Sequence, residues 1–233
     1  MNTSHRAMVI LHRLTKTDHT VLVDHDNKMA LVWRFLKEQW FPHREAEKPY
    51  CWDLSTNDGE YYNLTFSCIT PEVTGWFLQA AKKCEGTCLN VGTEFWQVEK
   101  VMPVQDLPFI ANYLRLSSMN GLQCFTMKRV NETKKCRVLI HAGEDPERFI
   151  TSIKTRLIRR TKEFMDVDIP EDAVKIQHLN TMAGIISIPY KHSRIRTQQV
   201  TFKLVAPKEV LEMALYGGIG KETGSGFGFM LAS

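Results

Sequence analysis

The chain has 233 residues, 43% of them hydrophobic and 24% charged, and its 30 Lys and Arg exceed its 26 Asp and Glu by only four. That length buries enough apolar surface for one large or two small domains without cross-links, and the small net charge does not by itself mark a nucleic-acid binder. No apolar run reaches the length of a membrane span and no hydrophobic leader precedes a cleavage site, so a cytoplasmic protein with no membrane partner is expected. Cys51, Cys68, Cys84, Cys88, Cys124 and Cys136 are too sparse for a disulfide framework and are expected as thiols. Cys84 and Cys88 have the spacing of half a zinc site, but no second close pair or His-x-x-x-His follows, so neither a metal nor a cofactor is expected.

In chain order, Met8 to Leu14 alternates as a first strand, and Asn27 to Trp40 places Met29, Leu31, Val32, Phe35, Leu36 and Trp40 at helical spacing behind an N-cap at Asp26 or Asn27. Tyr50 to Leu54 and Tyr61 to Cys68 are predicted strands joined through an Asp58-Gly59 turn. Thr70-Pro71-Glu72 opens a helix that runs to Lys83, and Trp96 to Lys100 is a further strand, which completes the β-α-β-β-α-β order of a ferredoxin-like unit. After a boundary at Asp106-Leu107-Pro108 the scheme repeats less clearly. Asn112 to Ser117, Cys136 to His141, Ala183 to Pro189 and Gln198 to Val205 are strands, Pro146 to Phe164 and Pro207 to Tyr216 are helices, and an apolar strand ends the chain. The expected fold is therefore α+β, two tandem ferredoxin-like domains spanning 1–106 and 107–233.

Charge is unevenly spread. Lys154, Arg156, Arg159, Arg160 and Lys162 form a basic helix segment free of acidic residues, and Lys191, His192, Arg194 and Arg196 crowd one turn. The helix face meets no carboxylate at i+4 until Glu163, so it is expected to repel itself unless a polyanion covers it. Glycine is concentrated at the C-terminus, where Gly217, Gly218, Gly220, Gly224, Gly226 and Gly228 surround Lys221. A Walker loop and a dinucleotide fingerprint are both excluded, since each needs a helix after the glycines and a helix here precedes them. Glycine-rich backbone with a lysine in it is an anion cradle, and phosphate is the expected anion at Gly218, Gly220, Lys221, Gly224 and Gly226.

The order helix, Gly218-Ile219-Gly220, five residues, Gly226-Phe227-Gly228, terminal strand resembles the glycine-rich loop of the CRISPR-associated RNA-binding (RAMP) superfamily. With Asn112 to Ser118, Lys134 to Ile140, the basic helix and the strand Gln199 to Val205 upstream, the layout is similar to that of CasE, the subtype I-E repeat-RNA endoribonucleases. That resemblance implies a metal-independent nuclease that binds a CRISPR repeat stem-loop, cuts at the stem base and stays on the 3′ hairpin of the mature crRNA beside other effector subunits. It also implies that the basic helix and the turn after it grip the stem. The family places a Tyr-x-x-His pair at the start of the first helix. Anchored on Leu31 and Phe35, His25 stands at the tyrosine position and Lys28 at the histidine position, or, with a short gap, His25 is itself the equivalent histidine. Both residue types suit the chemistry, in which an imidazole moves protons and an ammonium faces phosphorane charge. His12, His141 and His178 have no such context, and His192 is a backbone contact. Because His25 and Lys28 depart from the family pair, a non-catalytic subunit that caps the crRNA hairpin, in a type I-E-like or type IV effector, is the alternative. A guide-binding backbone subunit without hairpin preference is a weaker one.

Overall fold

The computed structural model describes residues 4–14, 23–36, 48–56, 58–105, 112–119, 121–129, 135–190, 193–221 and 223–232. Strict alternation makes Arg6–Arg13 (β1) the central strand of the first sheet, with Ala7, Val9 and Leu11 buried and Met8, Ile10 and His12 half covered. Tyr50–Thr56 (β2) and Tyr61–Cys68 (β3) pair across the Asp58-Gly59 turn, where Gly59 has φ 77°. Cys88–Val91 (β4), a short strand that the sequence pattern did not reveal, folds back on Glu94–Val104 (β5). The antiparallel order is β2-β3-β1-β5-β4.

Helices His25–Phe35 (α1) and Pro71–Lys82 (α2) cover one face of this sheet through Leu31, Val32, Phe35, Val73, Phe77 and Ala81. The Phe77 ring stacks on Phe66 at 4.3 Å and meets Phe35 edge-on at 5.5 Å, which locks both helices to the sheet. The N-cap of α1 is Asp24, whose side chain accepts from the Asp26 amide, so the helix starts earlier than its apolar periodicity indicated.

The second half repeats the topology with Tyr113–Ser118 (β6), Pro146–Met165 (α3), Lys175–Tyr190 (β9), Ser193–Val205 (β10), Lys208–Glu212 (α4) and Met230–Ala232 (β11), in the order β11-β6-β10-β9. Phe125–Arg129 (β7) and Lys135–Leu139 (β8) form a separate hairpin between β6 and α3. In each half the first strand is flanked by the third and the last, the ferredoxin-like arrangement, and the fold is therefore two tandem ferredoxin-like units. The expected boundary at Asp106-Leu107-Pro108 falls outside the described residues. Strand β9 begins well before Ala183 because Lys175 to Thr181 alternates weakly and is broken by a bulge, with His178 at φ 52°. Only Thr201–Val205 of β10 pairs with β6 and Gln198 is bridged to Leu122, so Ser193–Arg196 and its partners in β9 extend past the sheet as a two-stranded ribbon.

The two halves are joined at the end of the last helix. Beyond α4 the chain winds into a buried π-helical turn, Met213–Gly217, whose terminal carbonyls have no partner within the helix. They are capped from elsewhere: Leu215 O accepts from Arg6 Nη2 at 3.1 Å, Tyr216 O from Cys51 Sγ at 3.6 Å, Gly217 O from Arg160 Nη2 at 2.8 Å and Gly218 O from Arg160 Nη1 at 2.6 Å. Two guanidinium groups at the negative end of a helix suit its dipole as well as its hydrogen bonding. Arg160 also donates to Lys48 O at 2.7 Å, and Arg6 to Met230 O at 3.0 Å, so each arginine ties the last helix to a second segment.

Candidate active site and nucleic-acid interface

The glycine-rich segment wraps the edge of the first sheet at β2. A Cβ on Gly218 would lie 2.8 Å from Cys51 Cβ, and one on Gly226 would lie 2.6 Å from the Trp52 ring. Gly226 and Gly228 have φ of 84° and 74°, and a Cβ on Gly228 would fall 1.7 Å from Ile219 O. Glycine here permits close approach of protein to protein. That corrects the expectation of an anion cradle at Gly218 and Gly226, which are buried against the N-terminal sheet. Gly224 packs against the Lys48 side chain, and its carbonyl accepts from Trp52 Nε1 at 3.0 Å. Gly220 and Lys221 instead face a cleft.

This wrapping brings the loop to the start of α1. His25 Nε2 lies 2.8 Å from Ser225 O, and the ring stacks against Phe227 at 5.0 Å and Trp52 at 5.8 Å. A carbonyl only accepts, so Nε2 carries the proton and Nδ1 holds the lone pair of the neutral imidazole. Burial lowers the His25 pKa from its ordinary value; the bond to the Ser225 carbonyl opposes this, Lys28 lowers it further, and Asp26 and Asp24 oppose it to a smaller extent. The Lys28 pKa is lowered too, by burial, while the buried carboxylate of Asp53 on β2 favours its charged form. Asp53, Trp52 and Ser225 complete the site and were not among the expected residues. Their only trace in the sequence is a carboxylate inside an otherwise apolar strand.

The basic helix divides its expected contacts. Arg160 is 1% exposed and its guanidinium is held by three carbonyls, so burial removes it from the RNA-facing set. Lys162 is exposed but bonded to Asp166 at 3.0 Å and Asp168 at 2.9 Å, which raise its pKa; the helix face does carry an i+4 carboxylate after all. Lys154 Nζ lies 4.0 Å from Glu171. Arg156 and Arg159 line a cleft of about 360 Å³ together with Lys221, Gly220, Gln123, Cys124, Ser152 and Thr155. Burial pushes the Cys124 thiol up to about 12.

On the ribbon, Arg194 and Arg196 share one face by register, opposite Pro189 and Ser187, while Ile186, Ile188 and Ile195 share the other. Arg194 is exposed and steadied by Ser187, whose Oγ and carbonyl accept at 2.9 Å and 3.1 Å. Helix α1, which carries His25 and Lys28, is in contact with β9. Lys191 and His192 lie outside the described residues. Among the described residues no group of three or more His, Cys, Asp or Glu is placed to hold a metal ion, and no helix is long and apolar enough to cross a membrane.

The fold is that of a protein with two tandem ferredoxin-like units. More particularly, residues 117–231, which hold α3, the ribbon and the glycine-rich segment, match the family model described as CRISPR associated protein Cas6, C-terminal. The whole chain superposes on the product of a Cas6-related gene from Pyrococcus furiosus at a TM-score of 0.79, with 16% identity over 99% of this chain and 98% of that one. A RAMP protein binding different RNA substrates gives 0.76, with 14% identity over 98% of this chain and 99% of that one. The CRISPR endoribonuclease Cse3 bound to a 19-nucleotide RNA gives 0.52, with 14% identity over 98% and 99%. No curated protein matches the chain by sequence.

Proposed function

We propose that this chain is a CRISPR repeat-RNA endoribonuclease, built of two ferredoxin-like domains at 1–106 and 107–233, that cuts precursor crRNA without a metal. The observation that carries the reading is the seating of His25, with Lys28 one turn on, directly beside the glycine-rich segment at Ser225. His25 Nδ1 takes the proton of a 2′-hydroxyl, the 2′-oxygen attacks the adjacent phosphorus, and the Lys28 ammonium faces the phosphorane charge. The P–O5′ bond then breaks, and the departing oxygen collects a proton from Lys28 or solvent. The products are a 2′,3′-cyclic phosphate and a 5′-hydroxyl.

Arg194 and Arg196 on the ribbon hold the repeat stem through its phosphates and shape, and Arg156 and Arg159 on α3 add phosphate contacts to the RNA beside it. The product hairpin stays bound and joins the protein to an effector complex in the cytoplasm. Subtype I-E is supported by the order of motifs, whereas the structural likeness is stronger to the Cas6-related protein than to Cse3. A second reading, a subunit that caps the crRNA hairpin without cutting, is favoured by the wedging of the His25 ring between Trp52 and Phe227.

One assay separates the two. Repeat RNA is incubated with the protein in chelator, alongside RNA carrying a single 2′-deoxy substitution at the cut. Cleavage of the native strand alone, slowed by about 100-fold or more in His25→Ala with affinity retained, is expected. Binding without cleavage establishes the capping role.

A further inference from the structure

The cleft between α3 and the glycine-rich segment is lined by Gly220 and Lys221, whereas His25 meets that segment at Ser225. One wall presents Arg156 and Arg159, one turn apart on α3, with Ser152 and Thr155 on the same face, and the other presents Lys221. Among the described residues no carboxylate lines it. Its volume, about 360 Å³, is at the low end for small-molecule sites, which suits a single nucleotide and is too small for a duplex. Cations and hydroxyls alone would describe any anion site.

Gln123 makes this one more specific. It is 7% exposed, it lines the cleft, and its Oε1 has no hydrogen-bond partner among the described residues. A buried amide oxygen without a partner costs about 1–3 kcal/mol, so its retention at the edge of a cationic cleft points to a donor that arrives with the anion. Gln123 meets the segment through its backbone, where Lys221 N donates to Gln123 O at 3.0 Å. The amide is therefore not needed to position the glycine-rich segment. The phosphodiester of an RNA chain offers no donor, whereas a nucleoside offers the ribose 2′-hydroxyl or an exocyclic amine.

We propose that this cleft holds one unpaired ribonucleotide, its phosphate on Arg156, Arg159 and Lys221 and a nucleoside donor on Gln123 Oε1. The inference rests on the RNA-binding reading and deepens it, because it makes Gln123 a specificity-determining residue separate from the cutting site.

The test is binding of the four ribonucleoside 5′-monophosphates, their 2′-deoxy counterparts and inorganic phosphate to the full-length protein, by calorimetry. At least one ribonucleotide is expected to bind about tenfold or more tighter than inorganic phosphate. Loss of that preference in every deoxynucleotide identifies the 2′-hydroxyl as the donor, and a preference for particular bases retained in the deoxy series identifies the exocyclic amine. Gln123→Leu, and Gln123→Met as a second variant of similar size, should bind ribonucleotide and phosphate alike, with melting temperatures confirming the fold. Arg159→Ala should weaken both ligands. Equal affinity for phosphate and every nucleotide, or nucleotide preference that survives both Gln123 variants, overturns the proposal, as does no binding at all. Calorimetry reads binding only. A protein that cuts repeat RNA yet shows no nucleotide preference refutes this pocket and leaves the nuclease standing, and the reverse result does the opposite.

Discussion

Replacing Arg160 with alanine sets two roles for one residue against each other. By sequence Arg160 is one of five cations on a helix expected to face RNA, and by structure it is a buried cap for the carbonyls of Gly217, Gly218 and Lys48. Truncation strips three charge-assisted bonds at once and leaves the end of a helix dipole uncompensated in the interior. Each orphaned carbonyl costs about 1–3 kcal/mol, and partial entry of water into the space left by the guanidinium offsets some of this, so a total near 3–5 kcal/mol is expected. For a chain of this size that lowers the melting temperature by roughly 6–20 °C. Arg159→Ala, one residue along and exposed, should shift it by less than about 2 °C. Arg160→Lys should recover only a small part, because an ammonium cannot reproduce a fork that serves two carbonyls from one side and one from the other. Calorimetric melts of the three variants, each paired with RNA binding over a salt series, make the comparison. If Arg160→Ala melts with the wild type while its salt dependence flattens, the guanidinium contacts phosphate and the capping argument is wrong.

The glycine-rich segment should behave as packing at two named positions. Gly226→Val, which drives a branched side chain into the Trp52 ring, and Gly228→Ala, which puts a methyl group onto Ile219 O, should both lower the melting temperature by more than 5 °C, about 2 kcal/mol or more, and unchanged melts would show that the loop opens away from β2. Removing Arg194 and Arg196 together should leave the melt alone and reduce the salt slope of RNA binding by about one unit per lost phosphate contact, and an unchanged slope would make the ribbon a solvated surface. The pH profile of single-turnover cleavage should rise with unit slope as His25 loses its proton and level off at a pH below 6.5, since burial lowers its pKa and the base must be neutral to act; a limb that levels above 7 would assign the proton to another group.

Most of the strands and helices were legible because their apolar residues keep one period over enough length. Val9 and Leu11 on β1, Phe149, Ile153 and Leu157 on α3, and the Asp58-Gly59 turn each carry a local signal that the tertiary structure leaves intact. What escaped was short or exposed. Strand β4 has only four residues, and the early part of β9 only partly buries Ile176 and Leu179 on either side of the irregularity at His178. The candidate site was half legible. His25 and Lys28 stand out by residue type and by position at a helix start, whereas Asp53, Ser225 and Gln123 become part of a site only through pairing of segments far apart in the chain.

The basic helix shows why charge patterning misled at single residues. A run of cations says how much charge a helix carries and nothing about which turn faces inward. On α3 the buried stripe Phe149, Ile153, Leu157 continues at helical spacing to Arg160 and Thr161, so the periodicity that hides the apolar residues hides the arginine as well. The chain tolerates this because the last helix ends against α3 and exposes carbonyls there, which an apolar side chain in place of Arg160 would leave unpaired. The two buried arginines hold the helix end from opposite halves, and the glycine-rich segment leaves that anchored end to meet the Gln123 cleft at Gly220 and Lys221 and His25 at Ser225. The spacing between His25 and the cleft is thus set by a segment whose starting point both halves of the chain fix.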